Sequence, residues 1–371
     1  MTGAAPRIYF SAGEPSGDAH AAAVAAALRR RLPGAALEAF GGPALAAAGV
    51  TMVDRMEDYS VVGFVEAIGA IPAHYRLLHR TMDAVTAARY DLVILVDYPG
   101  YHLRLAERVA RRGVPVLYYV APQLWAWGAS RVRRLRAVRR VAVILPFEEE
   151  FFRSHGIAAT FVGHPLLDRP PPPPRDTAQR ALGLDPDRPV LGLFPGSRGI
   201  EVRRHWPAFR AAAALVARAR PELQVIAAGT PRGVYPDPGP IAVHHGDPGL
   251  VFAAADAGIC KSGTTTLEAA LADVPMVIAY RLNALSYLIA RRISTVAWAG
   301  LVNLVAGEEV APELLQHRAT PTALAAAVAP LLDADHPVTR RQRDHLALVR
   351  QRLGAPGAAE RVAGLAIELL R

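Results

Sequence analysis

The sequence predicts an α/β protein built from two doubly wound, Rossmann-like domains. Three observations carry that prediction. Short, nearly continuous β-branched runs alternate with helix-like stretches. Five consecutive prolines interrupt this rhythm, which then starts again. The chain has 371 residues, 52% of them hydrophobic and 20% charged, more apolar material than one ordinary core holds. Strands that are apolar throughout, rather than at every second position, belong in a parallel sheet covered on both faces.

The first domain is expected over residues 1–168. "RIYFSA" (Arg7–Ala12) reads as a strand, followed by an alanine-rich helix, Ala19–Arg31, stopped by Pro33-Gly34. "LVILV" (Leu92–Val96) precedes a second helix, Leu103–Arg112, stopped by Gly113. "VLYYV" (Val116–Val120), "VAVIL" (Val141–Leu145) and "TFVG" (Thr160–Gly163) repeat the logic. Residues 169–175, "RPPPPPR", can join neither a helix nor a central strand and form a stiff spacer. The second domain is expected over 176–337, with strands "VLGLF" (Val190–Phe194), "LQVIAA" (Leu223–Ala228), "AGIC" (Ala257–Cys260) and "PMVIAY" (Pro275–Tyr280). Two such halves on a hinge leave an interdomain cleft lined by the carboxyl ends of two sheets, where ligands of open α/β sheets bind.

A net charge of +9 implies an anionic partner: nucleic acid, an acidic membrane surface or a phosphorylated substrate. Lys261 is the only lysine among 42 basic residues; beside so much alanine, that bias reads as genome composition. The single cysteine, Cys260, permits no internal disulfide and suits a reducing cytosol. The opening "MTGAAPRIYFSAGEPSGD" turns polar too early for a signal peptide, and no run reaches the ~18 apolar residues a spanning helix needs. A cytoplasmic chain that rests against a membrane without crossing it is expected.

Four polar clusters fall where strands hand over to helices. Pro195-Gly196-Ser197-Arg198-Gly199 precedes a helix expected to start near Glu201. Its glycines let backbone amides approach an anion, and Arg198 can grip that anion with two parallel hydrogen bonds; a glycine-rich turn with a solvated arginine explains it equally. Lys261–Pro275, "KSGTTTLEAALADVP", offers Ser262, Gly263 and Thr264 as a second anion loop. Glu268, one turn (~5.4 Å) further along the helix, is placed for ribose hydroxyls, although Thr265 and Glu268 also have the spacing of a capping box. Together the two loops favour a nucleoside diphosphate. Asp97, ending the strand in "VDYPGYH", is a candidate general base or simply a turn residue before Pro99-Gly100. The loop "SAGEPSGDAH", with Gly13, Glu14, Ser16, Gly17 and Asp18, can hold an acceptor, or Ser16 or Asp18 can cap the helix that follows.

Other stretches read more plainly. "APQLWAWGASRVRRLRAVRR" (Ala121–Arg140) joins two tryptophans to a basic run suited to anionic headgroups, to nucleic acid, or to a solvated face packed by Trp125 and Trp127. "VVGFVEAIGAI" (Val61–Ile71) is apolar enough to dip into a bilayer surface, to bury an acyl chain or to serve as core. His164 and His244-His245 lack the partners of a metal site, and the pairs Asp185/Asp187 and Asp333/Asp335 lie away from the strand ends, so neither metal nor cofactor is expected.

Taken in order, "AGEPSGD", "YVAPQLWAWGASRVRRL", "ILPFEEEFF", "FVGHPL", "LFPGSRGIEV", "SGTTTLEAAL", "PMVIAYR" and "LVNLVAG" resemble the lipid-A-disaccharide synthase family almost end to end. The resemblance implies a GT-B fold and an inverting glycosyltransferase: UDP-2,3-diacylglucosamine as lipid donor, 2,3-diacylglucosamine 1-phosphate as phosphorylated acceptor, a β-1,6-linked disaccharide 1-phosphate and UDP as products. It implies that Arg198 and the 263–268 turn hold UDP, that Arg281 and Asn303 lie near the same site, that Asp97 is the base, and that no metal is used. It also implies that the C-terminal helices, 338–371, cross back onto the first domain. Where the family continues Asp-x-Pro with Asp-Phe-Asn, this chain has Gly100-Tyr101-His102, and Val302 replaces a usual proline. The remaining readings are another GT-B UDP-sugar enzyme (a different transferase or an epimerase) and a nucleic-acid binder built on Arg131–Arg140; the second leaves both phosphate loops unexplained.

Overall fold

Strands buried on both faces should be apolar nearly throughout, and the central ones are, with the half-buried Arg7 and the buried Ser11 as exceptions. In β1 (Arg7–Ala12) and β4 (Leu92–Val96), Tyr9, Val93 and Leu95 pack into one core, while Ile8, Phe10, Leu92 and Ile94 pack into the core on the opposite face. This alternation is the pleat itself, with both sides dry. A computed structural model describes residues 5–59, 71–230, 233–283, 292 and 295–371, and these fall into two compact units: Met1–Arg169 with Leu353–Arg371, and Pro170–Arg352.

The first unit holds a seven-stranded parallel sheet in the order β3-β2-β1-β4-β5-β6-β7, with β2 at Ala36–Gly41, β3 at Thr51–Arg55, β5 at Val116–Tyr119, β6 at Arg140–Val143 and β7 at Ala159–Phe161. Its helices are α1 (Pro15–Arg31), α2 (Pro43–Ala47), α3 (Ile71–Ala88), α4 (Pro99–Ala110) and α5 (Pro146–Ser154). α1 and α4 start four residues before the expected Ala19 and Leu103, because Pro15 and Pro99 occupy the first helical turn, where a missing N–H costs nothing and a fixed φ helps. The run Val61–Ile71 lies outside the described residues except for Ile71.

The second unit holds a six-stranded parallel sheet, β10-β9-β8-β11-β12-β13. Its strands are β8 (Val190–Phe194), β9 (Gln224–Ala228), β10 (Ala242–His244), β11 (Ala257–Lys261), β12 (Met276–Tyr280) and β13 (Glu313–Leu315). α6 (Arg175–Ala181), α7 (Gly199–Ala219), α8 (Pro248–Ala254), α9 (Thr264–Leu271), α10 (Leu301–Ala306), α11 (Pro321–Val328) and α12 (Pro337–Arg352) complete it. Trp206, Phe209 and Ala213 of α7 cover Leu191, Leu193, Ile259 and Val277.

The C-terminal stretch divides differently from the expected 338–371. α12 packs against α9 and α10 inside the second unit, where the buried Gln342 accepts from the Met276 N–H at 2.6 Å and donates to the Val310 carbonyl at 3.0 Å. Those polar bonds to strand and loop backbone hold α12 where it is. Only Leu353–Arg371 belongs to the first unit, with α13 (Ala358–Leu369) laid on α1 and burying Val362, Ala363 and Ala366.

Candidate functional site

Each sheet reverses its winding once: between β1 and β4 in the first unit, and between β8 and β11 in the second. At such a point the loops leaving two neighbouring strands diverge and open a crevice. The four polar clusters sit at these two points.

In the first unit Ala12 pairs with Val96, so the loop after β1 and the turn after β4 emerge side by side. Gly13 lies directly under the Tyr98 ring, which a Cβ would strike. Gly17 lets α1 approach the turn; a Cβ there would stand 3.3 Å from the Val96 carbonyl oxygen and 3.8 Å from the Asp97 Cβ. Asp97 and Tyr98 are both left-handed, with φ of 53° and 52°, a conformation costing about 1–2 kcal/mol for each residue bearing a Cβ. The bend is held from several sides. The Asp97 N–H donates to the Tyr119 carbonyl at 3.0 Å, and the Asp97 carbonyl accepts from the Tyr118 hydroxyl at 2.7 Å and from His102 Nδ1 at 2.6 Å. Because a carbonyl only accepts, Nδ1 carries the ring proton and Nε2 accepts from Ser11 Oγ at 2.8 Å. Burial pushes the His102 pKa down to about 4, so the ring is neutral at physiological pH.

The same loop corrects one expectation. Neither Ser16 nor Asp18 caps α1, whose cap position is Glu14. The buried Asp18 carboxylate instead accepts from the backbone N–H of Gly42 (2.8 Å), Ala44 (2.8 Å) and Leu45 (3.3 Å), closing the start of α2. With both oxygens spent on peptide donors, Asp18 is a structural cap rather than a group facing a ligand. Ser16 is exposed and Glu14 half-buried.

In the second unit Phe194 pairs with Cys260, which brings the loops after β8 and β11 together. α7 starts at Gly199, two residues before the expected Glu201, with Arg198 as its cap residue. Glu201 folds back onto that loop: Oε2 accepts from the N–H of Ser197 (3.2 Å) and Arg198 (3.4 Å), and Oε1 pairs with Lys261 Nζ at 3.0 Å. Gly196, at φ +125°, is required here, since a Cβ would lie 2.5 Å from Glu201 Oε2. Burial would raise the Glu201 pKa, but Lys261 and the loop amides hold it below the usual carboxylate range. The amides expected to cradle phosphate therefore already cradle an anion from their own helix. The Arg198 side chain, 68% exposed, lies 4.0 Å from Glu201.

Lys261, Glu201 and His205 escaped the sequence reading as site residues. Lys261 Nζ stands 5.8 Å from the centre of the Tyr280 ring, on which His205 stacks. His205 Nδ1 donates to the Glu201 carbonyl and its Nε2 accepts from the Arg281 N–H at 3.1 Å. The signal for Lys261 was in plain view: the chain's one lysine stands at the end of a buried strand. At β11 the α9 cap is Gly263, at φ 123°, rather than Thr265, so the capping-box account of Glu268 fails and the carboxylate lies one turn into α9, half-buried. Thr264 is exposed in the first turn, where helix amides have no partner within the helix. The Ser262 hydroxyl is turned away, donating to the Ala299 carbonyl at 2.6 Å.

Two residues placed near the donor by resemblance differ in how their side chains are engaged. Asn303 is wholly buried; its amide donates to the Ala311 carbonyl and to Glu313 Oε1, and its oxygen accepts from the N–H of Val310 and Ala311. All its polar valences are used in tying α10 to β13 and the segment before it, which leaves none for a ligand. Arg281 donates from Nη2 to the Ala319 carbonyl at 2.6 Å. Among the described residues no cluster of three or more His, Cys, Asp or Glu has the geometry of a metal site.

Two doubly wound parallel sheets, each with its loops gathered at one switch point, define the GT-B class. Solved structures agree. A glycosyltransferase of kitacinnamycin matches with a TM-score of 0.64 at 19% identity, covering 99% of this chain and 100% of that one. A protein from Listeria monocytogenes named as a "putative UDP-N-acetylglucosamine 2-epimerase" matches with a TM-score of 0.67 at 12% identity, covering 97% of this chain and 95% of that one. At such identities the likeness is one of fold. Sequence goes further: residues 8–360 match the family model described as lipid-A-disaccharide synthetase. Proteins named lipid-A-disaccharide synthase from Myxococcus xanthus and Geobacter metallireducens are similar at 41% identity over 380 residues (98% of each chain) and 40% over 383 residues (99% of each). The chain belongs to the lipid-A-disaccharide synthase family, and with it to the glycosyltransferases of lipid A biosynthesis. The alternative of a different UDP-sugar enzyme is not favoured.

Proposed function

We propose that this enzyme transfers the diacylglucosamine of UDP-2,3-diacylglucosamine to the 6-hydroxyl of 2,3-diacylglucosamine 1-phosphate. The observation that carries the reading is that the two switch points are chemically complementary. One is a basic, amide-rich loop pair at β8 and β11, and the other is a carboxylate at the end of β4 on a constrained bend. The first serves the diphosphate and ribose of the donor through Arg198, Lys261, the 263–265 amides and Glu268. The second serves the acceptor, with the 13–17 loop beneath it. Asp97 removes the proton of the 6-hydroxyl as its oxygen attacks the anomeric carbon. The bond from that carbon to the diphosphate oxygen breaks, and its electron pair leaves with UDP. One displacement inverts the centre and gives a β-1,6 linkage; positive charge at the loops stabilises the leaving group.

Both substrates are acylated, and a basic surface supports a membrane-side setting. The stretch Ala129–Ala137 buries Val132 and Leu135 while Arg131, Arg133 and Arg136 are exposed, and Trp127 beside it is 53% exposed. This outward basic face fits an anionic bilayer surface. Among the described residues no helix is long and apolar enough to cross a membrane.

The test is incubation with both acylated sugars and mass spectrometry for a disaccharide monophosphate together with UDP. Asp97→Asn should bind the UDP-sugar normally and lower the transfer rate by about 10²–10⁴; an unchanged rate removes Asp97 as the base. Co-sedimentation with anionic but not zwitterionic vesicles, lost at high salt, tests the membrane surface.

A further inference from the structure

His102 is fully buried, touches no solvent and has no part in the transfer as described above. It nevertheless takes both carbonyls of the strained bend. Its ring Nδ1 donates to the Asp97 carbonyl at 2.6 Å, and its backbone N–H donates to the Tyr98 carbonyl at 3.0 Å. We propose that His102 is a positioning residue for the Asp97 carboxylate, its imidazole locking through the Asp97 carbonyl the left-handed backbone that aims it. The inference rests on the reading of Asp97 as the base.

The direction of the Asp97 side chain is set by its own φ and ψ, and a left-handed pair of non-glycine residues leaves that conformation unless its surroundings over-determine it. Here they do so from three elements. Tyr118 on β5 holds the Asp97 carbonyl from one side at 2.7 Å, and His102 on α4 holds it from another. Ser11 on β1 fixes the imidazole at its far nitrogen, 2.8 Å away, and the rings of Tyr98, Tyr101 and Tyr118 surround it with centroids 5.7, 5.4 and 6.1 Å distant. A purely apolar core residue would fill this space and leave the carbonyl to the Tyr118 hydroxyl alone. The ring stays neutral because burial lowers its pKa to about 4, so donation from Nδ1 and acceptance at Nε2 persist across the working pH range.

Two substitutions separate aiming from packing. Asparagine Nδ2 lies the same number of bonds from the backbone as histidine Nδ1, so His102→Asn keeps the donor to Asp97 and gives up the bond to Ser11. His102→Leu removes both. The expected result is a kcat at least about 10-fold lower for His102→Leu with KM for the UDP-sugar within about 2-fold, and recovery of most of that loss in His102→Asn, as a misaimed base costs rate rather than binding. In an Asp97→Asn background His102→Leu should lower the residual rate no further. Equal kcat in the Leu and Asn variants, or an undiminished Leu effect in the Asp97→Asn background, overturns the proposal while leaving Asp97 as the base. An Asp97→Asn enzyme of full activity instead overturns the base itself. If His102→Leu does not fold, Tyr118→Phe, which removes the other side-chain donor to the same carbonyl, is read by the same criteria.

Discussion

Asp18 offers the sharpest contrast between a residue that belongs to a family motif and one that faces a ligand. In Asp18→Asn the shape is kept and one oxygen becomes an NH₂. Oδ1, which receives the N–H of Gly42 and Leu45, can remain a carbonyl, but the atom facing the Ala44 N–H at 2.8 Å then becomes a donor against a donor. The change removes one charge-assisted bond, weakens two others and orphans a peptide N–H at the start of α2. A hydrogen bond to a charged group contributes about 1.5–3 kcal/mol, and a buried unsatisfied donor costs about 1–3 kcal/mol. Allowing for relaxation, a loss of about 2–4 kcal/mol is expected, which for a unit of this size lowers Tm by about 5–15 °C. Thermal unfolding followed by circular dichroism, with acceptor KM measured well below the transition, provides the assay. A Tm within 2 °C of the parent's, accompanied by a raised acceptor KM, would refute the assignment of Asp18 as a cap and return it to the acceptor site.

Arg198→Ala should leave Tm within about 1 °C, because an ion pair this exposed contributes little to stability, while kcat/KM falls about 10²-fold or more; a near-normal kcat/KM counts against a role at the diphosphate. Asn303→Ala should cost about 3–5 kcal/mol, since it strands buried peptide groups of Val310 and Ala311 and leaves Glu313 Oε1 with the Gly300 N–H alone, and urea midpoints would read it directly. The first unit should weaken in mild acid. Burial pushes the pKa values of His20 and His102 down to about 4 and of His164 to about 3. The unfolded chain therefore binds more protons than the folded one below about pH 6.5. Stability is full above that pH and is lost as pH falls towards the folded values. His102→Asn should reduce the slope of stability against pH by about 1.4 kcal/mol per unit near pH 5; denaturant midpoints between pH 4.5 and 7.5 would show an unaltered slope if the ring titrates normally.

What the sequence displayed depended on how deeply each element is buried. Central strands such as Leu92–Val96 and Val190–Phe194 are apolar end to end because both faces are dry, and their bounds could be read directly. Of the outer strands, β7 was read in "TFVG", whereas β3 and β10 were invisible. Thr51–Arg55 exposes three of its five side chains, and Ala242–His244 has one exposed and two half-buried residues, so neither an apolar run nor a clean alternation marks them. The candidate site was legible as a set of loops and illegible as a set of contacts. Nothing in the spacing of Asp18 and Gly42 says that one will close the helix beginning at the other. Nothing in "PGSRGIE" says that Glu201 will fill its own loop. The inward turn of Asn303 follows from where α10 meets β13, a tertiary fact that a one-dimensional motif cannot carry.

The division of the chain at Leu353 sets an order of assembly. α13 contributes Val362, Ala363 and Ala366 to the core beneath α1, yet it is synthesised after the whole of the second unit. The contiguous stretch Pro170–Arg352 can finish folding as soon as it leaves the ribosome, whereas the amino-terminal half, made earlier, keeps an uncovered apolar flank until Leu353–Arg371 arrives. For this molecule the unit begun first is completed after the second, and a premature stop before Leu353 would injure the amino-terminal unit.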